Sequence, residues 1–322
     1  MSEPTVRAPE AETAVTPPPQ RTRSRPMTAS RRDNRDGLLM VLPTVVIVVA
    51  VVVIPVLWNV VLSFQGLTLL DIRNAGLFQN FTLTNFVDVF TGAGFWHAIL
   101  NTVIYSVFST LGSIALGTAA ALALRKAFPG RGVVRALMLL PYVAPVVAVA
   151  FVWKIMLNPQ YGILNVVGQK LLGWDTPVDF LGRAPDAMVT VILFETWRYF
   201  PFAFMFITAR LVAVPREMEE AAVVDGAGIW QRFRFIVLPQ LYAVIALLSV
   251  LRLVMTFNKF DDVFLLTGGG AGTEVAAVRV YDTLTGRFDV GGAAAQSLVL
   301  AAFLAVSLVV YLKFLGRSEA QQ

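Results

Sequence analysis

Six long hydrophobic runs constrain the fold of this chain more than any other feature. A membrane-spanning helix needs about 20 mostly apolar residues, and each run approaches or exceeds that length. The runs cover about residues 37–64, 98–124, 134–156, 187–214, 241–257 and 291–315. Backbone polar groups inside lipid must be satisfied within the protein, and the apolar residues are continuous rather than alternating, which favours helices over barrel strands. The sequence therefore predicts an all-α membrane protein with six transmembrane helices.

The overall composition supports the membrane assignment and excludes several kinds of site. Hydrophobic residues make up 57% of the 322 residues and charged residues only 15%, whereas a soluble domain is about one quarter charged. The chain has no cysteine and a single histidine, His97. We therefore expect no disulfide framework and no metal site built from thiolates or several histidines. The net charge of +5 is dispersed over loops and a polar tail, which membrane topology explains better than nucleic-acid binding.

The basic residues indicate the topology. Residues 1–36 are rich in Pro, Thr, Ser and Arg without apolar periodicity, which indicates a disordered tail that is too long and too charged to begin a signal peptide. With this tail in the cytoplasm, most of the 26 Lys and Arg residues fall on inner segments, in agreement with the positive-inside rule. We expect a multi-pass protein of the cell membrane with a transmembrane domain over 37–316, a short tail at 317–322 and both termini cytoplasmic.

A polar loop over residues 215–239 separates the fourth and fifth runs. Pro215 can occupy the first turn of a helix, where its missing N–H costs nothing. The acidic residues that complement the positive end of this helix dipole are Glu217, Glu219 and Glu220. Asp225 and Gly226 then supply a turn, in which glycine is free to adopt a positive φ, and a second short helix follows over about 229–235. The residues alone are equally compatible with an amphipathic interfacial connector and with a docking surface.

The same loop carries a specific order of small and charged residues. It reads Glu220-Ala221-Ala222, two residues, Asp225-Gly226-Ala227, eight residues, then Ile236-x-Leu238-Pro239, where the proline is expected to start the fifth helix. This order resembles the signature of the permease subunits of binding-protein-dependent ATP-binding-cassette importers. The resemblance implies a type I importer permease fold, in which this loop is a coupling helix that docks on a cytoplasmic ATPase subunit. The implied ATPase-coupling residues are Glu220, Ala221, Ala222, Asp225, Gly226 and Ala227.

The resemblance covers most of the chain from about Leu42. Phe260-Asp261 and the segment from Leu265 to Gly270 are similar to the maltose-type first permease of carbohydrate importers, although Ala271 stands where that family commonly has proline. The resemblance implies a permease subunit that translocates a carbohydrate, an oligosaccharide or a polyol, delivered by an extracytoplasmic binding protein. It also implies a second permease subunit as heterodimer partner and two ATPase subunits.

ATP hydrolysis is not expected on this chain. The glycine-rich segment 268–273 lacks the lysine beside Thr273 and the preceding strand that a phosphate-binding Walker A loop needs, so we interpret it as a flexible outer loop. No paired carboxylates, metal ligands or nucleophile with its base can be assembled into an active site. We therefore expect a transport subunit without a cofactor or a metal, with ATP and Mg²⁺ bound by the partner ATPase.

Several polar and aromatic residues are candidates for the substrate path. Glu195 and Arg252 lie within helices, where ionisable residues either pair with each other or line a polar cavity, and both interpretations remain open. Trp197 and Tyr199, with the neighbouring Phe200, are candidates for stacking on sugar rings. The polar residues after the fifth run are interpreted as solvated loop residues in preference to ligands of sugar hydroxyls: Asn258, Lys259, Asp261 and Asp262.

Prolines and small residues predict irregular and close-packed places in the helices. The prolines that predict kinks or unwound turns are Pro141, Pro145 and Pro201. Gly112, Ser113 and Gly117 form a small-residue face on the second helix that suits close helix packing.

Two alternatives to a carbohydrate permease are considered. The same machinery could import glycerol phosphate or another small solute, and an anionic solute would require cations that face the cavity, such as Arg252. A stand-alone channel or secondary transporter would work without an ATPase, but it leaves the pattern at Glu220 unexplained.

Overall fold

The computed structural model describes residues 39–74, 76 and 80–319, so the tail predicted for residues 1–36 lies outside the described residues. The described residues are almost entirely helical and form two isolated antiparallel bridges, Gln65 with Phe81 and Thr68 with Asp289. The chain divides after Val56 into two compact units. The first contains the described residues 39–56, and the second contains the described residues from Leu57 onward.

The helices of the described ranges are labelled in chain order. They are α1 (Leu39–Ser63), a 3₁₀ turn (Leu69–Asn74), α2 (Thr84–Thr91), α3 (Ala93–Ala123), α4 (Arg131–Val143), α5 (Val146–Met156), α6 (Ile163–Leu171), α7 (Asp186–Val212), α8 (Arg216–Val224), α9 (Ile229–Phe257), α10 (Asp261–Thr267), α11 (Ala276–Thr285) and α12 (Val290–Glu319).

The long helices agree with the six predicted spans. By length and composition α1, α3, α9 and α12 are each sufficient to cross a membrane. Two bent pairs, α4 with α5 and α7 with α8, bring the number to six among the described residues if each pair is counted as one span. The fold is therefore that of an all-helical, multi-pass membrane protein. At its end α12 continues to Glu319, beyond the predicted boundary at residue 316.

The third predicted span is sharply broken at a proline. α4 ends at Val143, Ala144 adopts an extended conformation, and Pro145 precedes the first residue of α5. The residue before a proline is disfavoured in the helical region because the proline ring clashes with its backbone. The two halves meet at 96°, so the predicted irregularity is present and is much larger than a kink. Pro141 and Pro201 remain inside α4 and α7.

The regular α-helical part of the fifth span begins at Leu238 with Pro239 in its first turn, as predicted, but it is joined to the preceding helix without a break. α9 begins at Ile229 and continues to Phe257, so the short helix expected over 229–235 is the first part of the same helix. A π-helical stretch, Phe233–Val237, precedes Pro239. Proline has no N–H to donate to the preceding turn, and a wider π turn accommodates such an interruption without ending the helix. The part of the polar loop from Ile229 onward and the fifth span are consequently one continuous helix, whereas α8 and the Gly226 turn precede it.

α3 and α7 pack closely along the small-residue face predicted for the second helix. A Cβ atom placed on Gly117 would lie 2.7 Å from the Cβ of Ala203 and 2.8 Å from the carbonyl oxygen of Phe200. A Cβ atom on Gly112 would lie 2.6 Å from the hydroxyl of Thr196. Only glycine permits this approach, as at small-residue contacts between membrane helices generally. Phe200 is buried in the apolar cluster at this contact and is therefore not placed to stack on a sugar.

The glycine-rich segment after α10 is a turn with its own hydrogen bonds, not the loose loop that was expected. The hydroxyls of Thr267 and Thr273 are 2.6 Å apart, and Thr273 is fully buried. The side-chain amide of Asn101 on α3 donates to the carbonyl oxygens of Gly272 and Glu274. Ala271 has a φ of +51°, which the ring of proline cannot adopt. The departure from the family pattern at Ala271 therefore fits the backbone of this turn.

Candidate functional site

Five charged side chains meet near the end of α9 that carries Phe257. Arg252 and Glu195 are joined by a bond of 2.7 Å from Nη2 to Oε1, and Lys259 Nζ lies 3.1 Å from the other oxygen of Glu195. Lys259 Nζ also lies 3.0 Å from Asp262, which pairs with Arg198 at 3.2 Å. These five residues, called the charged cluster below, link α7, α9 and α10.

The charged cluster is almost completely shielded from solvent. The side chains of Glu195, Arg252 and Asp262 are 0% exposed, and those of Lys259 and Arg198 are 8% and 10% exposed. Charges buried to this degree persist when they are paired and hydrogen-bonded, and removal of one partner leaves the other uncompensated. The sequence left open whether Glu195 and Arg252 pair with each other or line a polar cavity, and in the structure they pair.

Two groups of the cluster lie outside the membrane-spanning helices and have shifted pKa values. Burial by itself lowers the pKa of Lys259, but the carboxylates of Glu195 and Asp262 outweigh it and raise that pKa, so the lysine is protonated at neutral pH. Burial raises the pKa of Asp262 to about 9, and the nearby carboxyl group of Glu195 adds to the rise. Both shifts follow from burial and from the charges that meet in the cluster.

The ring of Tyr199 lies against the cations of the cluster. Lys259 Nζ is 3.7 Å from the ring centroid and Arg252 Cζ is 4.1 Å from it, which are cation–π distances. Tyr199 is half-buried and also belongs to an aromatic row on α4 and α7. Successive centroids along this row are 5.6, 6.0 and 4.9 Å apart, in the order Tyr199, Tyr142, Phe202 and Phe206. The aromatic row, as it is called below, extends away from the charged cluster.

The other predicted path residues lie apart from this group. Trp197 is two positions from Tyr199 on α7, which places it on a different face of the helix, and its ring packs near Trp153 at 5.4 Å. Asn258 is exposed, and its side-chain amide donates to the carbonyl oxygen of Val254. The structure thus brings together Glu195, Tyr199 and Arg252 but neither Trp197 nor Asn258.

The interpretation of Lys259 and Asp262 as solvated loop residues is wrong. Both side chains point into the protein and complete the charged cluster. A signal was present in the sequence, because the two residues are separated by three positions and lie among apolar residues, as in Phe257, Phe260 and Val263. An ion pair at that spacing is favourable on a helical turn.

The predicted coupling loop ends α8 with a defined turn. Gly226 has a φ of +82°. The N–H of Ala227 donates to the carbonyl oxygen of Ala222, and that of Gly226 donates to Val223. This pair of bonds around a left-handed residue is the Schellman motif, which satisfies carbonyl groups at a helix end. Glycine is preferred there because it has no Cβ to clash.

A cavity of about 370 Å³ opens where this turn meets the start of α9. It is lined by Ala222, Asp225, Gly226, Ala227, Gln231, Arg232, Phe235 and Ile236. Four of the six predicted coupling residues line this cavity, and the other two, Glu220 and Ala221, lie exposed on α8. Apolar side chains stand exposed around it, among them Val224 at 88% and Trp230 at 70%. A surface of this kind is typical of a site for another protein.

Comparison with known proteins gives a consistent result. Residues 113–317 match the family described as "Binding-protein-dependent transport system inner membrane component". The chain is 35% identical over 286 residues to the inner membrane ABC transporter permease protein YcjO of Escherichia coli, covering 88% of this chain and 94% of that protein. It is 31% identical over 287 residues to the trehalose/maltose transport system permease protein MalF of Thermococcus litoralis, with the same two coverages.

More distant relatives agree in length and in fold. The trehalose transport system permease protein SugA of Mycobacterium tuberculosis is 28% identical over 284 residues, which cover 88% of this chain and 90% of SugA. The crystal structure of a bacterial ABC transporter involved in the import of the acidic polysaccharide alginate contains a chain with a TM-score of 0.74. That match has 23% identity and covers 90% of this chain and 99% of the other, so it shows a shared fold.

Proposed function

The chain belongs to the family of inner membrane components of binding-protein-dependent transport systems, and we propose that it is a carbohydrate permease subunit driven by the ATP cycle of a partner. The observation that supports coupling to a partner is the surface formed by α8 and the Gly226 turn, called the coupling surface below. It combines exposed apolar side chains with a 370 Å³ cavity and holds all six signature residues. The relatives named for trehalose and maltose transport support a carbohydrate as the substrate class.

The proposed assembly places α8 and both termini in the cytoplasm. The distribution of basic residues supports this orientation through the positive-inside rule. In this arrangement the coupling surface meets one of two ATPase subunits, which bind ATP and Mg²⁺, while this chain binds neither. A second permease subunit completes the membrane core, and an extracytoplasmic binding protein delivers the sugar to its outer side.

The proposed substrate path runs along the aromatic row and includes Tyr199. Aromatic faces with a few polar groups are typical of small-molecule sites, and such faces suit the apolar side of a sugar ring. Arg252 acts on this path through Tyr199, because its guanidinium lies 4.1 Å from the centroid of that ring, and Glu195 acts through its bond to Arg252. Trp197 and Asn258 are proposed contacts elsewhere on the path, since both keep part of their side chains accessible.

The pairing inside the charged cluster favours an uncharged substrate over glycerol phosphate. An anionic substrate needs a cation that faces the cavity, and Arg252 was the sequence-level candidate for that role. Arg252 is 0% exposed and bonded to Glu195, while Lys259 is shared between two carboxylates. A phosphate would have to compete with the buried Glu195 for both of these cations, at the desolvation cost of breaking buried pairs.

The continuity of α9 supports a mechanism for the coupling. Closure of the ATPase dimer displaces α8 and the turn at Gly226, and α9 starts three residues later. Because α9 continues without a break to Phe257, the displacement reaches the end of the span that holds Arg252 and the charged cluster. By linkage, the ATPase drives this change only if it binds the coupling surface differently in the two states.

Uptake by the reconstituted complex tests the proposed function. Proteoliposomes contain this chain, its partner permease and the ATPase, and receive the binding protein with labelled maltose, trehalose, a polyol or glycerol 3-phosphate. We expect uptake of a neutral sugar or polyol that requires the binding protein. Uptake of glycerol 3-phosphate alone would contradict the assigned substrate class, and sugar uptake without the binding protein would contradict the assigned type of permease.

A further inference from the structure

α8 is only lightly attached to other helices of the described chain. None of its described side chains is buried. Among its described side chains, two neighbouring residues form the bonds to other helices or their ends that matter here. Glu219 pairs with Arg125 at 2.5 Å, and the sulfur of Met218 accepts a hydrogen bond of 3.6 Å from Gln240. A helix held in this way can be displaced without disrupting a packed core.

The two bonds tie α8 to different parts of the fold. Gln240 lies on α9, which already follows α8 in the chain through the Gly226 turn. Arg125 lies two residues beyond the end of α3, which is not a neighbour of α8 in sequence. The Arg125–Glu219 pair therefore supplies a connection that the backbone does not. Its side chains are 24% and 21% exposed, so water and salt screen it less than they screen a fully exposed pair.

α3 connects this ion pair to the opposite end of the bundle. Its 31 residues correspond to a length of about 46 Å. Near its first turns Asn101 bonds to the carbonyl oxygens of Gly272 and Glu274, and Thr102 Oγ1 accepts a hydrogen bond from the N–H of Ala276. This segment directly follows α10, which carries Asp262 of the charged cluster. α3 therefore spans the distance between Arg125 and the neighbourhood of the charged cluster.

We propose that Arg125 is a positioning residue for transport, and that its ion pair with Glu219 is the tether that passes a displacement of α8 to α3. The inference rests on the proposed function, in which an ATPase moves α8. Without the tether the displacement reaches α7 and α9 through the backbone, and α3 follows only through its packing against α7 at Gly112 and Gly117. The turn that α3 holds at Gly272 then moves less. Hydrolysis then continues with less sugar moved per ATP.

A charge swap distinguishes a tether from a general contribution to folding. Sugar taken up per ATP hydrolysed is measured in proteoliposomes for the wild type, Arg125→Glu, Glu219→Arg and the double variant. When two residues belong to one ion-pair network, the effects of mutating them are coupled by a free energy that corresponds to about a tenfold change in an equilibrium constant. We expect each single variant to lower the ratio about tenfold while the ATPase still co-purifies, and the double variant to restore most of it. Lys126→Ala, at the exposed neighbouring cation, is the matched control and is expected to keep the wild-type ratio.

Two results would overturn the inference. One is that Arg125→Glu takes up as much sugar per ATP hydrolysed as the wild type. This result counts even if less complex assembles, because each assembled complex then works normally. The other is a double variant that is as impaired as the single variants. Failure of the proposed function is a different result, because the wild-type proteoliposomes would then take up no sugar on addition of ATP.

Discussion

At Gly226 the backbone turns with a φ of +82°, and two hydrogen bonds of the Schellman motif close around it. Nothing lies within 4 Å of the position that a Cβ atom would occupy. A side chain at this residue would therefore meet no neighbour inside the chain, but it would strain the backbone and project beside the cavity of the coupling surface. A side chain at residue 226 would thus both destabilise the turn and obstruct a partner docked on the coupling surface.

Replacement of Gly226 by valine is expected to weaken binding of the ATPase. The left-handed conformation costs a residue with a Cβ about 1–2 kcal/mol, and a β-branched side chain adds steric bulk beside the cavity. Co-purification of the ATPase with Gly226→Val is expected to fall about tenfold or more, a change of roughly 1.4 kcal/mol. Gly228→Ala is the control, because Gly228 has a φ of −67° that any residue adopts. Equal retention of the ATPase by both variants would disprove the role of the turn.

The charged cluster allows a prediction about stability. Arg252→Met leaves Glu195 buried with Lys259 as its remaining ion-pair partner. Removal of one member of a buried pair typically costs about 3–5 kcal/mol. We expect a clear fall in the thermal unfolding temperature of the purified complex, and a partial recovery when Glu195→Leu is added. Lys170→Ala, at an exposed lysine on α6, serves as the reference and is expected to unfold at the wild-type temperature.

The cluster also shows how far single residues can be interpreted from the sequence. Glu195 and Arg252 stood out because ionisable residues are rare within apolar runs, and their pairing was one of two open alternatives. Lys259 and Asp262 follow a helix end, where polar residues are ordinary, so their spacing among apolar residues was only a weak sign of an interior position. Their burial depends on α10 folding back against α7 near Arg198, a long-range contact that composition does not encode.

At the scale of helices, the contact between α3 and α7 depends on glycine. Gly117→Val would place atoms within 3 Å of Ala203 and of the backbone at Phe200, so the helices would have to separate. Overpacking of this kind typically costs about 1–3 kcal/mol. We expect Gly117→Val to lower the yield and the unfolding temperature of the complex. Gly132→Ala on α4 meets nothing within 4 Å and is expected to be neutral or slightly stabilising, so a comparable loss in both variants would contradict this account.

The helical nature of the membrane spans was predictable, because it follows from length and hydrophobicity, and six spans are found when each bent pair is counted as one. The boundaries of the helices near prolines were less predictable. Pro145 breaks a span by 96°, whereas Pro239 lies inside a helix that continues through a π turn. The two prolines have similar local sequence signals, and the difference lies in whether the preceding residue leaves the helical region, as Ala144 does. That choice is made by tertiary packing rather than by the proline itself.

For the whole molecule, two connections join the coupling surface to the far end of the bundle. One is α9, which is continuous from Ile229 to Phe257, and the other is α3, tethered through Arg125 and Glu219. Both lead to the region of the charged cluster and the turn at Gly272. This arrangement allows a partner bound at one end to change the geometry at the other, which is what the proposed ATP-driven transport requires.

The central claim is that transport through this chain depends on an ATPase docked at the Gly226 turn. The most direct measurement compares labelled sugar uptake in three sets of proteoliposomes, all with the permease pair and the binding protein: with ATPase and ATP, with ATPase but no ATP, and without ATPase. The account predicts accumulation against a gradient only in the first set. Equal uptake in the set that lacks the ATPase would identify a channel or a secondary transporter and would contradict the account.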